Sequence, residues 1–115
     1  MRHVVRKPDD SKPLSEPVLL ILLSLADEPR HGYALMKDIE ALSNGRVRLS
    51  TGTLYGALRR LLEDMWIERF DQEDTSRDKQ AYRLTRVGHR QLQVELERMK
   101  QLMRVAHVRI RTREV

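Results

Sequence analysis

The sequence predicts a small, mainly α-helical domain that carries one β-hairpin and ends in a long helix. Three observations predict this fold class. Apolar residues recur at helical spacing through most of the chain, two short segments with aromatic residues and arginines enclose a polar stretch, and the C-terminal part has a coiled-coil-like apolar repeat. A length of 115 residues suits one domain with a modest core.

The N-terminal region divides into an arm and a first helix. Residues 1–15 mix charged residues with two prolines and predict a flexible, solvated arm, although its basic residues could instead touch phosphate. Pro17 suits the first turn of a helix. The run from Val18 to Ala26 is apolar on nearly every side, so other elements must surround it. Because a membrane span needs ~20 residues, we interpret this shorter run as a buried helix that ends before Pro29.

A second helix is predicted from His31 to Gly45. Its apolar side chains follow the spacing of an amphipathic helix and are Leu35, Met36, Ile39 and Leu42. The Asn44-Gly45 pair ends this helix. The next residues, Arg46 to Leu49, alternate polar and apolar side chains and predict either a short strand or an extended link.

The third helix begins at Ser50, a residue type that caps helix N-termini. One face carries the apolar side chains Leu54, Leu58, Leu61, Leu62 and Met65. The opposite side carries Gly52, Gly56 and Arg59. Glycine within a helix costs about 1 kcal/mol relative to alanine, so two glycines here indicate a side that must come close to a large partner. The alternative is a packed helix with two incidental glycines.

The residues around these glycines predict a DNA-binding surface. The Ser50 cap leaves free N–H groups at the positive end of the helix dipole, which attracts phosphate. The hydroxyls of Thr51 and Thr53 can bind phosphate or base edges. Arg59 and Arg60 supply charge and can bind guanine where they reach the groove floor.

Two predicted strands, Trp66 to Asp71 and Gln80 to Thr85, form a hairpin after the third helix. The polar loop between them offers Arg77 and Lys79 for phosphate contacts, although its acidic residues also fit a solvated loop. Two angled helices followed by a hairpin form the winged helix-turn-helix pattern. In that pattern the second helix of the pair enters the major groove, and the hairpin reaches a neighbouring backbone or minor groove.

The last helix is predicted from Thr85 onward. Its apolar residues are four and three residues apart in alternation, the seam pattern of a coiled coil, and are Leu92, Leu96, Met99, Met103, Ala106 and Ile110. A domain of this size cannot bury the far end of that seam, so we expect a second copy of the chain to cover it. A helix that folds back on its own domain is the alternative. A two-fold dimer would bind a pseudo-palindromic DNA site.

Three segments resemble the PadR family of bacterial transcription regulators: "LLILLSLADEPRHGYALMKDIE", "LSTGTLYGALRRLLEDMWIERF" and "AYRLTRVGHRQL". The resemblance covers about Val18 to Leu92 and implies a homodimeric winged-helix repressor. It also implies that DNA is contacted by a basic wing residue and by Tyr33, Ser50, Thr53 and Tyr55. The first helix, including Val18 and Leu22, is expected to join the dimer interface. Some members hold small aromatic ligands at that interface, so an inducer is expected there.

Three positions depart from the family pattern. Thr51 and Gly56 stand where the family usually has proline, so we expect a less rigid start and a looser middle of the third helix. Met65 stands where the family usually has glycine. A turn that needs positive φ would be strained by methionine, so we expect the chain to leave this helix differently.

Composition and motifs argue against several other functions. The formal net charge of +5 favours a polyanion partner, although it could serve solubility alone. The absence of cysteine excludes disulfides and sulfur-ligated metals and fits the cytoplasm. The four histidines have no metal-binding spacing, and no motif pairs a nucleophile with a base. We therefore predict no enzyme activity, no cofactor, no metal site and no membrane segment.

Together these features predict a dimeric winged-helix DNA-binding regulator that acts as a repressor. Residues 1–15 form the arm, residues 16–85 the DNA-binding domain and residues 86–115 the dimerisation helix. The alternative is a winged-helix protein–protein interaction module whose basic surface meets an acidic partner, without sequence-specific DNA binding.

Overall fold

The structure, a computed structural model, describes residues 12–70 and 80–114. Its elements in chain order are α1 (Glu16–Asp27), β1 (Arg30–His31), α2 (Gly32–Leu42), α3 (Thr51–Glu63), β2 (Ile67–Phe70), β3 (Ala81–Leu84) and α4 (Arg86–Glu114). The mainly α-helical architecture with a small antiparallel sheet confirms the predicted fold class. The predicted wing contacts Arg77 and Lys79, and the arm residues 1–11, lie outside the described residues.

The core forms around α1, as the apolar composition of that helix requires. Its side chains Leu20, Ile21, Leu22 and Leu25 are buried. They pack with buried residues of the other helices and the sheet, namely Leu35, Ile39, Leu54, Leu58, Leu61, Ile67, Tyr82 and Leu92. Full burial of one such aliphatic side chain stabilises the fold by about 1.5–3 kcal/mol, so this cluster holds α2 and α3 at a fixed angle.

The turn after α2 follows from two residues that tolerate positive φ. Asn44 has a φ of 55° and Gly45 a φ of 79°, and the Gly45 amide donates a hydrogen bond of 2.7 Å to the Glu40 carbonyl. The chain then runs through residues 46–49 without a strand. Of the two predicted alternatives, the extended link is therefore correct.

The sheet has a third strand that the sequence patterns did not predict. β1 pairs antiparallel with β3, with Arg30 opposite Tyr82 and His31 opposite Ala81, so the strand order is β1-β3-β2. His31, predicted to begin the second helix, belongs to this strand, and α2 begins at Gly32. A two-residue strand is too short for any periodicity, and only its pairing with β3 defines it.

The junction between α3 and α4 is a close backbone contact. Met65 has a φ of 63°, so the chain keeps the positive-φ exit and the expected difference at this position is not found. Thr85 caps α4: its hydroxyl accepts a hydrogen bond of 3.0 Å from the Gly88 amide and donates one of 2.6 Å to the Met65 carbonyl. A Cβ on Gly88 would lie 2.0 Å from the Trp66 carbonyl oxygen, so only glycine fits there without a shift of the backbone.

Only the first part of α4 packs on the domain. Its 29 residues correspond to a length of about 43 Å, and every residue from 101 to 113 is exposed. Near its start, the buried Glu95 accepts a hydrogen bond of 2.6 Å from Arg98, which also donates one of 3.0 Å to the Lys12 carbonyl. These bonds hold the segment before α1 against α4. In the described parts of the chain, no helix has both the length and the apolar character that crossing a bilayer requires.

Candidate nucleic-acid interface

The N-terminus of α3 is capped as predicted. Ser50 has an extended backbone, with φ of −70° and ψ of 160°. Its hydroxyl accepts a hydrogen bond of 3.1 Å from the Thr53 amide and donates one of 2.9 Å to the Thr53 hydroxyl. The amides of the first helical turn precede the first intrahelical bond, and Ser50, Thr51 and Thr53 are all exposed. This end of α3 thus presents hydroxyls and N–H groups to solvent, as an anion site would.

The four glycines in or next to helix starts fall into two classes. A Cβ on Gly32 would lie 2.2 Å from the Tyr55 hydroxyl oxygen, and one on Gly88 would meet the Trp66 carbonyl. A Cβ on Gly52 or Gly56 would have no neighbour within 4 Å. Packing within the described chain therefore requires glycine at the first two positions and does not require it on α3.

The arginines of α3 are free of intramolecular ion pairs in the part of the chain that the structure describes. Arg59 and Arg60 are both exposed, and no carboxylate in residues 12–70 or 80–114 lies within ion-pairing distance of either guanidinium. By contrast, Arg46 forms a two-pronged ion pair with Glu16, and this pair lowers the pKa of that carboxyl below its ordinary value. The two α3 guanidiniums thus keep their full hydrogen-bonding capacity for an external partner.

The two predicted tyrosine contacts have different surroundings. Tyr33, on the first turn of α2, is 67% exposed, and the Lys37 ammonium lies 5.6 Å from its ring centroid. Tyr55 is half-buried, and its hydroxyl packs over Gly32. Tyr55 therefore holds the start of α2 against α3, which places the exposed Tyr33 ring beside the capped end of α3.

Arg69, on β2, joins this surface although the sequence patterns did not single it out. It is exposed and lies opposite Tyr82 in the sheet register. Burial raises the pKa of Tyr82, the nearby Tyr55 raises it further, and the positive charge of Arg69 opposes both effects. These influences place Arg69, Tyr55 and Tyr82 close together where the wing meets α3. An arginine on the core-facing side of a strand, next to Ile67 in sequence alternation, is the signal that could have identified it.

The predicted dimer-interface residues divide between the surface and the core. Leu96, Met99, Met103 and Ile110 are 40–58% exposed, Ala106 is exposed and Val18 is half-buried. The prediction is wrong for Leu22 and Leu92, which are 0% and 4% exposed in the single chain. Both side chains fill the domain core and have almost no surface left for a partner to cover. Leu102, beside the seam and 61% exposed, was not predicted.

Among residues 12–70 and 80–114, no group of three or more histidine, aspartate or glutamate side chains is arranged to hold a metal ion. The groups that converge at α3 are hydroxyls, amides and arginines. This set suits hydrogen bonding to an anionic polymer and has no paired acid and base for bond cleavage.

Residues 21–94 match the sequence model of the transcriptional regulator PadR-like family. Because the match covers more than half of the chain, the protein belongs to this family of transcriptional regulators. A 37.1 kDa protein encoded in transposon TN4556 of Streptomyces fradiae is 37% identical over 84 residues. That match covers 73% of this chain but 23% of the relative, so the chain spans less than a quarter of that protein's length.

Solved structures share the fold. A PadR family transcription regulator from Clostridium difficile is 22% identical, with a TM-score of 0.67 over 84% of this chain and 99% of that one. A PadR-like transcription factor from Bacteroides fragilis is 26% identical, with a TM-score of 0.63 over 80% of this chain and 88% of that one. A transcriptional regulator from Clostridium thermocellum is 24% identical, with a TM-score of 0.66 over 78% and 88% of the two chains.

Proposed function

We propose that this transcriptional regulator is a homodimeric repressor that binds a pseudo-palindromic operator in the cytoplasm. In this proposal residues 16–85 bind DNA, residues 86–115 dimerise, and residues 1–15 form an arm. DNA contacts come from Tyr33, Ser50, Thr51, Thr53, Tyr55, Arg59 and Arg60, together with Arg77 and Lys79 of the wing tip.

The open glycine side of α3 carries the proposal. Gly52 and Gly56 lower the stability of an isolated helix, and no described residue packs against them. An external surface that approaches the α3 backbone accounts for their presence. The major groove admits a helix of this size, and the capped end, its hydroxyls and the unpaired Arg59 supply phosphate and base contacts on the same element.

The exposed half of α4 supports the homodimer. Leu96, Met99, Met103, Ala106 and Ile110 recur on one side of this helix and are covered by nothing in the described chain. An isolated amphipathic helix is marginal in water, and packing of its apolar side stabilises it. A second copy offers the same seam, and a two-fold axis between the copies would present two α3 helices to adjacent turns of DNA.

The test is selection of bound fragments from genomic DNA, followed by binding assays on the enriched sequence. We expect a pseudo-palindromic site whose affinity falls steeply with salt, because bound phosphates release counterions. Arg59→Ala should weaken binding and lower the log–log salt slope by about 0.9 if one phosphate contact is lost. Arg104→Ala on α4 removes the same charge away from α3 and should leave the slope unchanged. Recovery of no selective sequence would contradict the proposal.

A further inference from the structure

A groove lies beside α3 within a single chain. It has a volume of about 1310 Å³ and is bordered by the segment before α1, the first turn of α1, α3, the α3–β2 turn and the start of α4. A drug-sized ligand needs 300–1,000 Å³, so the groove accommodates a small molecule together with water.

Much of the groove wall is apolar and fixed in place. Leu14, Val18, Trp66 and Val87 line it, and the first three pack against the domain core. The Leu14 amide also donates a long hydrogen bond of 3.4 Å to the buried Glu95. The apolar wall is thus held by the same contacts that hold the core, and no rearrangement is needed to form it.

Three cations from different elements line the same groove: Lys12 before α1, Arg60 on α3 and Arg90 on α4. Within residues 12–70 and 80–114, none of their side chains forms an ion pair. Asp64 is the one acidic residue of the lining, so the groove carries a net positive formal charge. An apolar wall under unpaired cations matches a ligand with an apolar body and an anionic group.

We infer that this groove binds a small organic anion, an alkyl or aryl carboxylate or sulfonate, and that this ligand displaces DNA. The apolar wall takes the body of the ligand, and Arg60 and Arg90 bind its anionic group. The site lies within one chain and is therefore distinct from an inducer site at the dimer interface.

The displacement follows from the position of Gly52 and Gly56, which also line the groove. A ligand seated there occupies space beside the α3 backbone that approaching DNA needs, and its charge offsets that of Arg60. This part of the inference rests on the proposed function, whereas ligand binding by itself does not.

The sequence contains one tryptophan, Trp66, and this residue lines the groove. Its fluorescence can therefore report occupancy directly in the full-length protein without DNA. The probes are 8-anilinonaphthalene-1-sulfonate and decanoate, with decanol as a neutral molecule of similar body. We expect both anions to change Trp66 emission saturably, decanoate to displace the dye, and decanol to bind at least tenfold more weakly than decanoate.

The decisive variant is Arg60→Ala combined with Arg90→Ala, which should raise the decanoate dissociation constant at least tenfold. Its control is Arg59→Ala combined with Arg104→Ala, which removes the same charge from exposed positions outside the groove and should change it less than twofold. Both pairs change exposed side chains, and circular dichroism verifies their fold. Equal effects of the two pairs, or saturable dye binding without any change in Trp66 emission, would overturn the assignment.

The competition is tested on the operator fragment recovered by selection. Decanoate should release the wild-type protein from it at concentrations that saturate Trp66, and it should be tenfold less effective on the Arg60→Ala, Arg90→Ala variant in proportion to that variant's residual DNA binding. Saturation of Trp66 without release of DNA overturns the competition alone. Failure to bind any DNA overturns the proposed function and leaves the ligand titration interpretable.

Discussion

Substitution of Gly56 by alanine should raise the stability of the free protein and weaken its binding to DNA. The two effects have opposite signs because they act on different surfaces. Gly56 lies in the middle of α3, where glycine lowers helix stability, and a Cβ there would touch no described atom within 4 Å. In the proposed complex the same methyl group would stand between the helix backbone and the DNA.

The size of the stability effect follows from helix propensity. Alanine is favoured over glycine by about 1 kcal/mol within a helix, and no strain offsets this gain because the space is open. For a domain of this size, 1 kcal/mol raises the unfolding temperature by about 4 °C. Inserting a methyl group into a close contact typically costs about 1–3 kcal/mol, which corresponds to roughly a 5- to 100-fold loss of operator affinity.

The assay combines thermal unfolding of the free protein with operator titrations of wild type, Gly56→Ala and Gly56→Leu at one salt concentration. Affinity should fall from glycine to alanine to leucine, whereas the unfolding temperature should not fall below that of wild type. Gly88→Ala is the control for packing. Because its Cβ would lie 2.0 Å from the Trp66 carbonyl oxygen, this variant should lose about 1–3 kcal/mol of stability.

Two results would refute the reasoning. Unchanged operator affinity in both Gly56→Ala and Gly56→Leu would mean that DNA does not approach this side of α3. A lower unfolding temperature in Gly56→Ala would mean that the space beside the glycine is not open in solution.

Three further predictions concern other parts of the chain. Met65→Gly should increase the free energy of unfolding by about 0.5–1 kcal/mol, since positive φ costs a non-glycine residue about 1–2 kcal/mol and glycine's added chain entropy offsets part of the gain; a decrease in urea denaturation would contradict this. The raised pKa of Tyr82 means that stability is complete below the unfolded pKa of about 10 and is lost as pH rises through the folded pKa, so Tyr82→Phe should reduce the stability lost between about pH 9 and 11, and an unchanged loss would count against it. Leu96→Glu combined with Met103→Glu should give a monomer by light scattering, whereas Gln101→Glu on the polar side of α4 should stay dimeric; a dimer mass in the double variant would exclude this interface.

The departures from the family pattern show how far local reasoning extends. Met65 was expected to alter the exit from α3, because methionine resists positive φ. The structure keeps that φ, and the hydrogen bond from the Thr85 hydroxyl to the Met65 carbonyl fixes the turn from outside. A local preference of about 1–2 kcal/mol is overridden by a long-range contact that the sequence of the turn does not contain.

The seam of α4 shows a related limit. Its apolar spacing predicted one continuous interface, but Leu92 faces the core of its own domain while Leu96 and the residues beyond it remain exposed. Periodicity defines which residues share a side of a helix. It does not define where along that helix the domain ends and free surface begins.

The sequence alone determined the helices, their caps and stops, the hairpin strands and the open glycine side of α3. These features depend on side-chain periodicity and on hydrogen bonds between residues a few positions apart, which a linear pattern records. Tertiary structure alone decided the strand β1, the need for glycine at positions 32 and 88, the burial of Leu22 and Leu92, and the cationic groove beside α3. Each of these depends on atoms that folding brings together from distant parts of the chain, and no spacing rule within one segment encodes such a meeting.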